Sequence, residues 1–296
     1  MATEVQTTAA ALTDARRTAT LSAAGVTALC VLVFAPVLYY MVLHWRDDPN
    51  YSHGFLVAPL AVYFAWERRA RLRRCAIEPS WWGLVPLTLA AASLTVGRLG
   101  VELMSMRVAF VLALHGIALL LLGRPVYRTL LFPLLFLFLM IPLPQSLLNV
   151  ITLPLQLVAA DLAVDALHWL RLPVLREGNI IHLKDTRLFV AEACSGLRSL
   201  MALGTLAVVF AYFFRRNAIE RIVLVLSAVP IAILVNSFRV FLTGLLTIHF
   251  GKAAADGWIH QTEGFFTFGL ALALLLAEAW LLQQLAVLRS RPGATA

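Results

Sequence analysis

The chain contains 296 residues, of which 61% are hydrophobic and only 14% are charged, whereas an ordinary soluble domain is about half apolar and about a quarter charged. This composition excludes a water-soluble globular fold, because such a fold cannot bury so much apolar surface, while a lipid bilayer can cover it. The formal charge of +8 does not indicate nucleic-acid binding, because arginines between apolar segments are what the orientation of a membrane protein requires.

The apolar segments predict an all-α, polytopic membrane protein of about eight transmembrane helices, since a spanning helix needs about 20 mostly apolar residues. The predicted spans are 21–44, 51–66, 82–98, 103–122, 128–144, 195–213, 221–240 and 262–284. We expect one multi-spanning domain over residues 21–284, between cytoplasmic tails at 1–20 and 285–296. The first apolar run is too long for a signal-peptide core, so we expect it to be a retained helix.

The stretch 145–193, between the fifth and sixth predicted spans, differs from the rest. Its first half contains Asp161 and is too polar for an easy span, so we predict a short amphipathic helix that lies in the membrane interface or re-enters it. Its second half, residues 178–190, alternates around Lys184-Asp185 and predicts a β-hairpin with a polar turn. We expect this insert to be extracytoplasmic.

The distribution of basic residues predicts the orientation. With the N-terminus in the cytoplasm, the inner loops contain most of the arginines: Arg16, Arg17, Arg68, Arg69, Arg71, Arg73, Arg74, Arg124, Arg128, Arg215, Arg216, Arg221, Arg289 and Arg291. The short outer loops contain only Arg46, Arg98 and Arg107. We therefore predict that both termini are cytoplasmic.

One of the three cysteines has chemically suggestive neighbours. Cys30 falls within the first span and Cys75 in a basic loop, whereas Cys194 lies at the outer mouth of the sixth span, where a polar stretch becomes a helix. A helix N-terminus favours the nucleophilic thiolate, and Arg198, four residues later, adds positive charge on the same face. Taken alone, the pattern fits an interfacial cysteine beside a snorkelling arginine equally well.

Two further polar residues fall at the same predicted interface. Arg239, which follows Asn236 in an apolar setting, lies about one bilayer thickness from Arg221, and an arginine there is costly and usually paired or functional. The alternative is an arginine that reaches the outer headgroups. His260 opens the eighth span and is suited to proton exchange, and Glu263 is placed to orient its ring. The alternative for a lone interfacial histidine is a structural role.

A cysteine, an arginine and a histidine thus fall at the same end of three consecutive predicted spans. Such a set supports acyl transfer, in which a thiolate attacks a peptide carbonyl, the imidazole protonates the leaving amine and the guanidinium stabilises the oxyanion or holds the peptide. We see no phosphate-binding loop and no metal-ligand spacing, and we predict no cofactor and no metal. A metal site built from His53 and His182 is the less favoured alternative.

These residues resemble the exosortase family, the multi-spanning cysteine transpeptidases of bacteria, whose archaeal counterparts are the archaeosortases. The resemblance covers nearly the whole chain and rests on these segments: Tyr51–Val57, Trp66–Arg69, Phe138–Pro144, Arg176–Asn179, Glu192–Arg198, Asn236–Val240 and His260. It implies that Cys194, Arg239 and His260 are the catalytic residues. Four neighbours are expected to bind substrate or orient these groups: Glu192, Arg198, Asn236 and Glu263.

The resemblance also implies a thiol protease or transpeptidase of the bacterial inner membrane with a periplasmic active site. Its expected partners are exported proteins with a C-terminal motif of the PEP-CTERM kind, a transmembrane helix and a basic tail, and the family is often tied to exopolysaccharide production. The residues leave open whether water or another acceptor completes the reaction. A multi-spanning transporter or scaffold for exopolysaccharide or lipid-linked substrates is the rival class, although transporters tend to bind near the midplane.

Overall fold

The computed structural model describes residues 2–183, 186–190, 196–214, 217–251 and 258–289, and for residues 2–13, 196–197, 258–263 and 286–289 it describes the backbone alone. The chain forms two compact units, Met1–Pro144 and Gln145–Ala296. The described residues are predominantly helical, with one small sheet. The all-α membrane class is therefore confirmed, whereas the single domain over 21–284 stays a prediction.

The described part of the first unit contains seven α-helices: α1 (Ala2–Val33), α2 (Ala35–Asp47), α3 (Gly54–Glu67), α4 (Arg69–Arg74), α5 (Leu84–Leu99), α6 (Leu103–Ile117) and α7 (Gly123–Phe136). Short 3-10 turns precede α3 and α5 and follow α7, and a π-helical segment, Ala118–Leu122, joins α6 to α7. The helices α1 and α2 meet at an angle of 65°. Pro36 lies in the first turn of α2, where it cannot donate a backbone hydrogen bond to α1, and this breaks the helix.

The described part of the second unit contains α8 (Gln145–Trp169), β1 (Leu175–Glu177), β2 (Ile180–His182), β3 (Arg187–Phe189), α9 (Gly196–Phe214), α10 (Ala218–Phe250) and α11 (Trp258–Arg289). The long helix α10 packs against α8, α9 and α11. It is therefore the element through which the rest of this unit is held together.

The predicted count of eight spans is not confirmed. Within the described ranges, five helices are long and apolar enough to cross a bilayer: Trp81–Leu99, Leu103–Met140, Gln145–Trp169, Ala218–Phe250 and Gly264–Leu285. A sixth results if the bent pair α1 and α2 counts as one span. The predicted spans 103–122 and 128–144 fall in one helical run, and α3, at 14 residues, is only about 21 Å long.

The helix predicted to lie in the interface is instead a candidate span. Its 25 residues have a mean hydropathy of 1.8 in the most apolar window, which is enough to cross the membrane by length and composition. Asp161, which made the segment look too polar, forms an ion pair of 2.7 Å with Arg176 on β1. Because the opposite charge accompanies this carboxylate, its cost in an apolar helix is lower than the sequence suggests.

The predicted hairpin over 178–190 is present, and a third strand extends it. The sheet is antiparallel in the order β1-β2-β3, with Ile181 opposite both Arg176 and Leu188. A two-residue turn joins β1 to β2, and Gly178 adopts a φ of 61° there, a conformation that glycine reaches without steric cost. The proposed turn residues Lys184 and Asp185 lie outside the described residues.

Basic segments predicted to be cytoplasmic come together at one end of the first unit. The guanidinium of Arg16 donates hydrogen bonds to the carbonyls of Leu72 and Cys75, at 2.7 and 3.0 Å. Arg68 donates to the carbonyl of Thr129 at 2.6 Å. Three segments that the basic-residue rule assigned to one side of the membrane are thus joined, and the side that they face stays a prediction.

Candidate active site

A row of buried polar residues follows one face of α10. Asn236, Arg239, Thr243 and Thr247 are spaced three or four residues apart and are each at most 7% exposed, so they lie on the same side of the helix. Thr243 donates to the carbonyl of Arg239 at 2.9 Å, and Thr247 donates to that of Thr243 at 2.7 Å. The hydroxyls of Thr243 and Thr247 therefore donate their hydrogen bonds to carbonyls of the same helix. The guanidinium of Arg239 is the charged group of the row.

Arg239 lies within α10 and not at its end. The helix rise of about 1.5 Å per residue puts Arg239 about 32 Å from Ala218, close to the thickness of the hydrocarbon core of about 30 Å. The helix continues to Phe250, beyond the predicted span 221–240. The backbone on both sides of Arg239 is thus helical and its side chain is only 4% exposed, whereas its depth in the bilayer stays a prediction.

An apolar core holds α9, α10 and α11 together beside this polar row. It contains buried residues of all three helices: Leu203, Ala207, Ala211, Leu224, Ala228, Ala232, Val235, Ala271, Leu275 and Ala279. Short connections join these packed helices, so each runs antiparallel to the one before it. The start of α9, the second half of α10 and the start of α11 therefore lie at the same end of the second unit.

The two arginines predicted at the site have different environments. Arg198 lies exposed in the first turn of α9, whereas Arg239 is buried on α10 one turn from the buried Asn236. The structure thus brings Asn236 and Arg239 together on one helix face. Because α9 begins at the same end of the unit, Arg198 lies at that end as well.

The other four predicted site residues are only partly described. Cys194 and Glu192 lie outside the described residues. The backbone of His260 and of Glu263 belongs to the first turns of α11, and their side chains are outside the description. A meeting of the thiol, the imidazole and the guanidinium therefore stays a prediction.

The segment Arg176–Asn179 forms part of the sheet beside α8. The guanidinium of Arg176 pairs with Asp161 of α8 and also donates to the carbonyl of Gly178 at 2.9 Å. Next to it, Glu177 and His182 pair across β1 and β2 at 3.1 Å. Sequence reasoning did not find these pairs, although the resemblance had singled out the segment, because the partners come from different elements.

Two segments that carry the family resemblance contact each other within the first unit. The hydroxyl of Tyr51 donates to the carbonyl of Leu143 at 3.3 Å and accepts from its N–H at 3.2 Å. A ring nitrogen of His53 lies 3.2 Å from the carbonyl of Leu139, and Trp45 donates to the carbonyl of Met140 at 2.9 Å. These contacts give Tyr51 and His53 a role in fixing the backbone of the segment Phe138–Pro144.

One comparison with known proteins gives a match that covers most of the chain. The sequence model of the transmembrane exosortase family matches residues 45–277, well over half of the 296 residues, and this range includes Cys194, Arg239 and His260. No curated protein gives a significant match, and no solved structure does so. The helical membrane fold agrees with the family match. The chain therefore belongs to the transmembrane exosortase family.

Proposed function

We propose that this exosortase-family protein is a membrane-embedded cysteine peptidase or transpeptidase that cleaves C-terminal sorting signals of exported proteins. The observation that carries the proposal is the buried Arg239, which lies within α10 on the same helix face as Asn236. A guanidinium removed from water in a membrane helix is costly and marks a functional site by default. Family membership supports the same class of reaction.

In the proposed reaction the thiolate of Cys194 attacks the carbonyl carbon of the scissile peptide bond. The carbon–nitrogen bond breaks, and the imidazolium of His260 gives its proton to the leaving amine, which leaves a thioester on Cys194. Water or an acceptor amine then attacks the thioester and loses a proton to His260, and the thiolate departs. The guanidinium of Arg239 stabilises the oxyanion of each tetrahedral intermediate or holds the peptide.

Four neighbours are assigned supporting roles. Asn236, which is buried one turn before Arg239, is proposed to orient the guanidinium or to bind the peptide backbone. Arg198 and Glu192 flank Cys194 in sequence and are proposed to bind substrate or set the charge of the thiol. Glu263 is proposed to orient the ring of His260.

The proposed substrate is an exported protein with a short PEP-CTERM-like motif, one transmembrane helix and a basic tail. We place the reaction at the periplasmic face of the bacterial inner membrane, where a substrate helix in the bilayer presents its motif next to the start of α9. The sheet β1-β2-β3 directly precedes the segment with Cys194 in sequence. It is proposed to cover the motif.

The test replaces Cys194 by alanine and follows processing of a co-expressed substrate that carries the tripartite signal. We expect processed product to fall below detection, because the nucleophile is absent, while the abundance of the enzyme in the membrane stays normal. Cys194→Ser is expected to be nearly as damaging, since a serine hydroxyl is a poor nucleophile without a stronger base. The readout is the ratio of full-length to cleaved substrate on an immunoblot.

The matched controls are Cys30→Ala and Cys75→Ala, which remove the other two thiols and are expected to keep full processing. Both are free and partly buried. Full processing by Cys194→Ala would contradict the nucleophile assignment. Loss of polysaccharide export with normal processing of every tested signal would instead favour the transporter or scaffold class.

A further inference from the structure

Arg107 has an environment that its sequence position did not predict. It was expected in an outer loop, but it lies in the second turn of α6 and is only 4% exposed. Among the residues that the structure describes, its Nε and Nη2 atoms have no hydrogen-bond partner. Because buried polar atoms without hydrogen-bond partners are unfavourable, a ligand that accepts hydrogen bonds from these two nitrogens would stabilise this side chain.

The acidic side chain that acts electrostatically on Arg107 is Glu102. Glu102 accepts hydrogen bonds from the backbone N–H groups of Met104 and Ser105 at 2.7 and 2.6 Å, so its carboxylate caps α6. Of the remaining groups near Arg107, His44 is directed toward Asp48 at 3.9 Å, and the hydroxyl of Tyr51 is engaged by Leu143. Each of these three groups thus has a partner of its own, and none of them accepts a hydrogen bond from Nε or Nη2 of Arg107.

The two unpartnered nitrogens form one edge of the guanidinium. The N–H groups of Nε and Nη2 point in parallel, and this fork binds two oxygens of a carboxylate or phosphate at once. The unsatisfied atoms are therefore the pair that bidentate recognition of an oxyanion requires. A single unpaired nitrogen would not indicate bidentate binding.

The position of Arg107 favours phosphate among the oxyanions. It lies four residues, or about 6 Å, inside the start of the candidate span Leu103–Met140. The adjoining turn between α5 and α6 exposes Leu99 and Val101, at 83% and 85%, and apolar side chains in such a turn suit contact with lipid. The abundant anion at the edge of a hydrocarbon core is the phosphate of the lipid headgroup.

We propose that Arg107 is a binding site for the phosphate of a lipid headgroup at the α5–α6 end of the first unit. The site lies apart in sequence from the proposed catalytic residues and does not depend on the peptidase proposal. A bound phosphate oxygen pair satisfies Nε and Nη2 together and joins the lipid to α6.

The experiment uses the full chain, purified in a nonionic detergent without phosphate. Dioctanoyl-phosphatidylglycerol, dioctanoylglycerol and inorganic phosphate are titrated separately, with thermal unfolding and native mass spectrometry as readouts. The variants are Arg107→Gln and Arg107→Lys, the latter keeping the charge but losing the fork. Arg98→Gln is the matched control, because it removes an exposed arginine from the last turn of α5.

We expect saturable binding and stabilisation by dioctanoyl-phosphatidylglycerol, weakened about tenfold or more in Arg107→Gln, weakened less in Arg107→Lys and unchanged in Arg98→Gln. Dioctanoylglycerol is expected to have no comparable effect. If inorganic phosphate stabilises the protein as strongly as the lipid does, Arg107 binds phosphate, but the proposal that the phosphate belongs to a lipid headgroup is wrong.

Equal lipid affinity in the wild type and in Arg107→Gln would overturn the site. The comparison of the two lipids on the wild-type protein also tests the proposal, so the test does not depend on whether the variants fold. If phosphatidylglycerol and the phosphate-free lipid stabilise the wild type equally, the proposal is wrong.

Discussion

At the scale of single residues, the proposed role of Arg239 rests on its burial. It is buried on a membrane helix and lies beside Asn236, so its position within the second unit is well defined. A lysine keeps the charge there but cannot present two parallel donors to an oxyanion or a peptide carbonyl.

We predict that Arg239→Lys lowers the rate of substrate processing roughly 100-fold, the usual cost of losing an oxyanion donor, with near-normal abundance in the membrane. Arg221→Lys, an exposed change in the first turn of the same helix, is the control and is expected to process normally. The measurement is a pulse-chase of the co-expressed substrate. If Arg239→Lys processes the substrate at the normal rate, the guanidinium does not have the proposed role in the mechanism.

Glu102 gives the first unit a stability that depends on pH. Partial desolvation raises the pKa of its carboxyl, but hydrogen bonds from Ser105 and Met104 and the charge of Arg107 together outweigh this and lower the pKa below its usual value of 4.5. The stabilisation by this cap is therefore fully present above about pH 4.5 and is lost as the pH falls through the folded-state pKa. In thermal unfolding between pH 6 and pH 3, we expect Glu102→Gln to lose less stability than the wild type, and parallel curves would refute the cap.

At the scale of elements, the junction between α6 and α7 depends on one glycine. Gly123 has a φ of 82°, and a Cβ there would lie 1.8 Å from the carbonyl oxygen of Glu78. That carbonyl is backbone and cannot swing away, so a side chain at this position forces the segment between α4 and α5 to move.

We predict that Gly123→Ala destabilises the protein by about 2 kcal/mol or more, because strain at positive φ and the overlap with Glu78 add together. Gly25→Ala is the control, since a Cβ on Gly25 meets nothing within 4 Å. The measurement is the apparent melting temperature in detergent with the membrane abundance of each variant. An unchanged melting temperature for Gly123→Ala would contradict the close approach of Gly123 and Glu78.

At the scale of the whole molecule, the proposed periplasmic site depends on which segments lie on each side of the membrane. Opposite sides of the membrane are predicted for the basic segment with Arg74 and for the sheet that contains Leu175. Both side chains lie on the surface of the protein, so the protein itself does not shield either position from a soluble reagent. Labelling at these two positions can therefore be compared to test the predicted topology.

In a chain whose three native cysteines are replaced by alanine, we expect a membrane-impermeant maleimide to label Leu175→Cys in intact spheroplasts. Arg74→Cys is expected to react only after the membrane is opened. We also expect a fluorescent protein fused after Ala296 to fold, because the C-terminus is predicted to be cytoplasmic. Labelling of Arg74→Cys in intact spheroplasts would reverse the predicted orientation and with it the proposed periplasmic placement of the reaction.

Several properties follow from the sequence by itself. The apolar composition determines a membrane protein, because no water-soluble fold can cover so much apolar surface. The alternation over 178–190 determines a hairpin, because side chains of a strand alternate between its faces. The residues Cys194, Arg239 and His260 also stand out in the sequence, through their chemistry and their family resemblance.

Only the tertiary structure decided the features that depend on partners distant in the chain. The charge of Asp161 argued against a span until α8 was found to lie beside Arg176 of β1. Arg107 resembled a loop arginine until the structure buried it. In both cases the cost of a charge in an apolar setting depends on which groups surround it, and packing between elements decides that, whereas composition and periodicity describe each element alone.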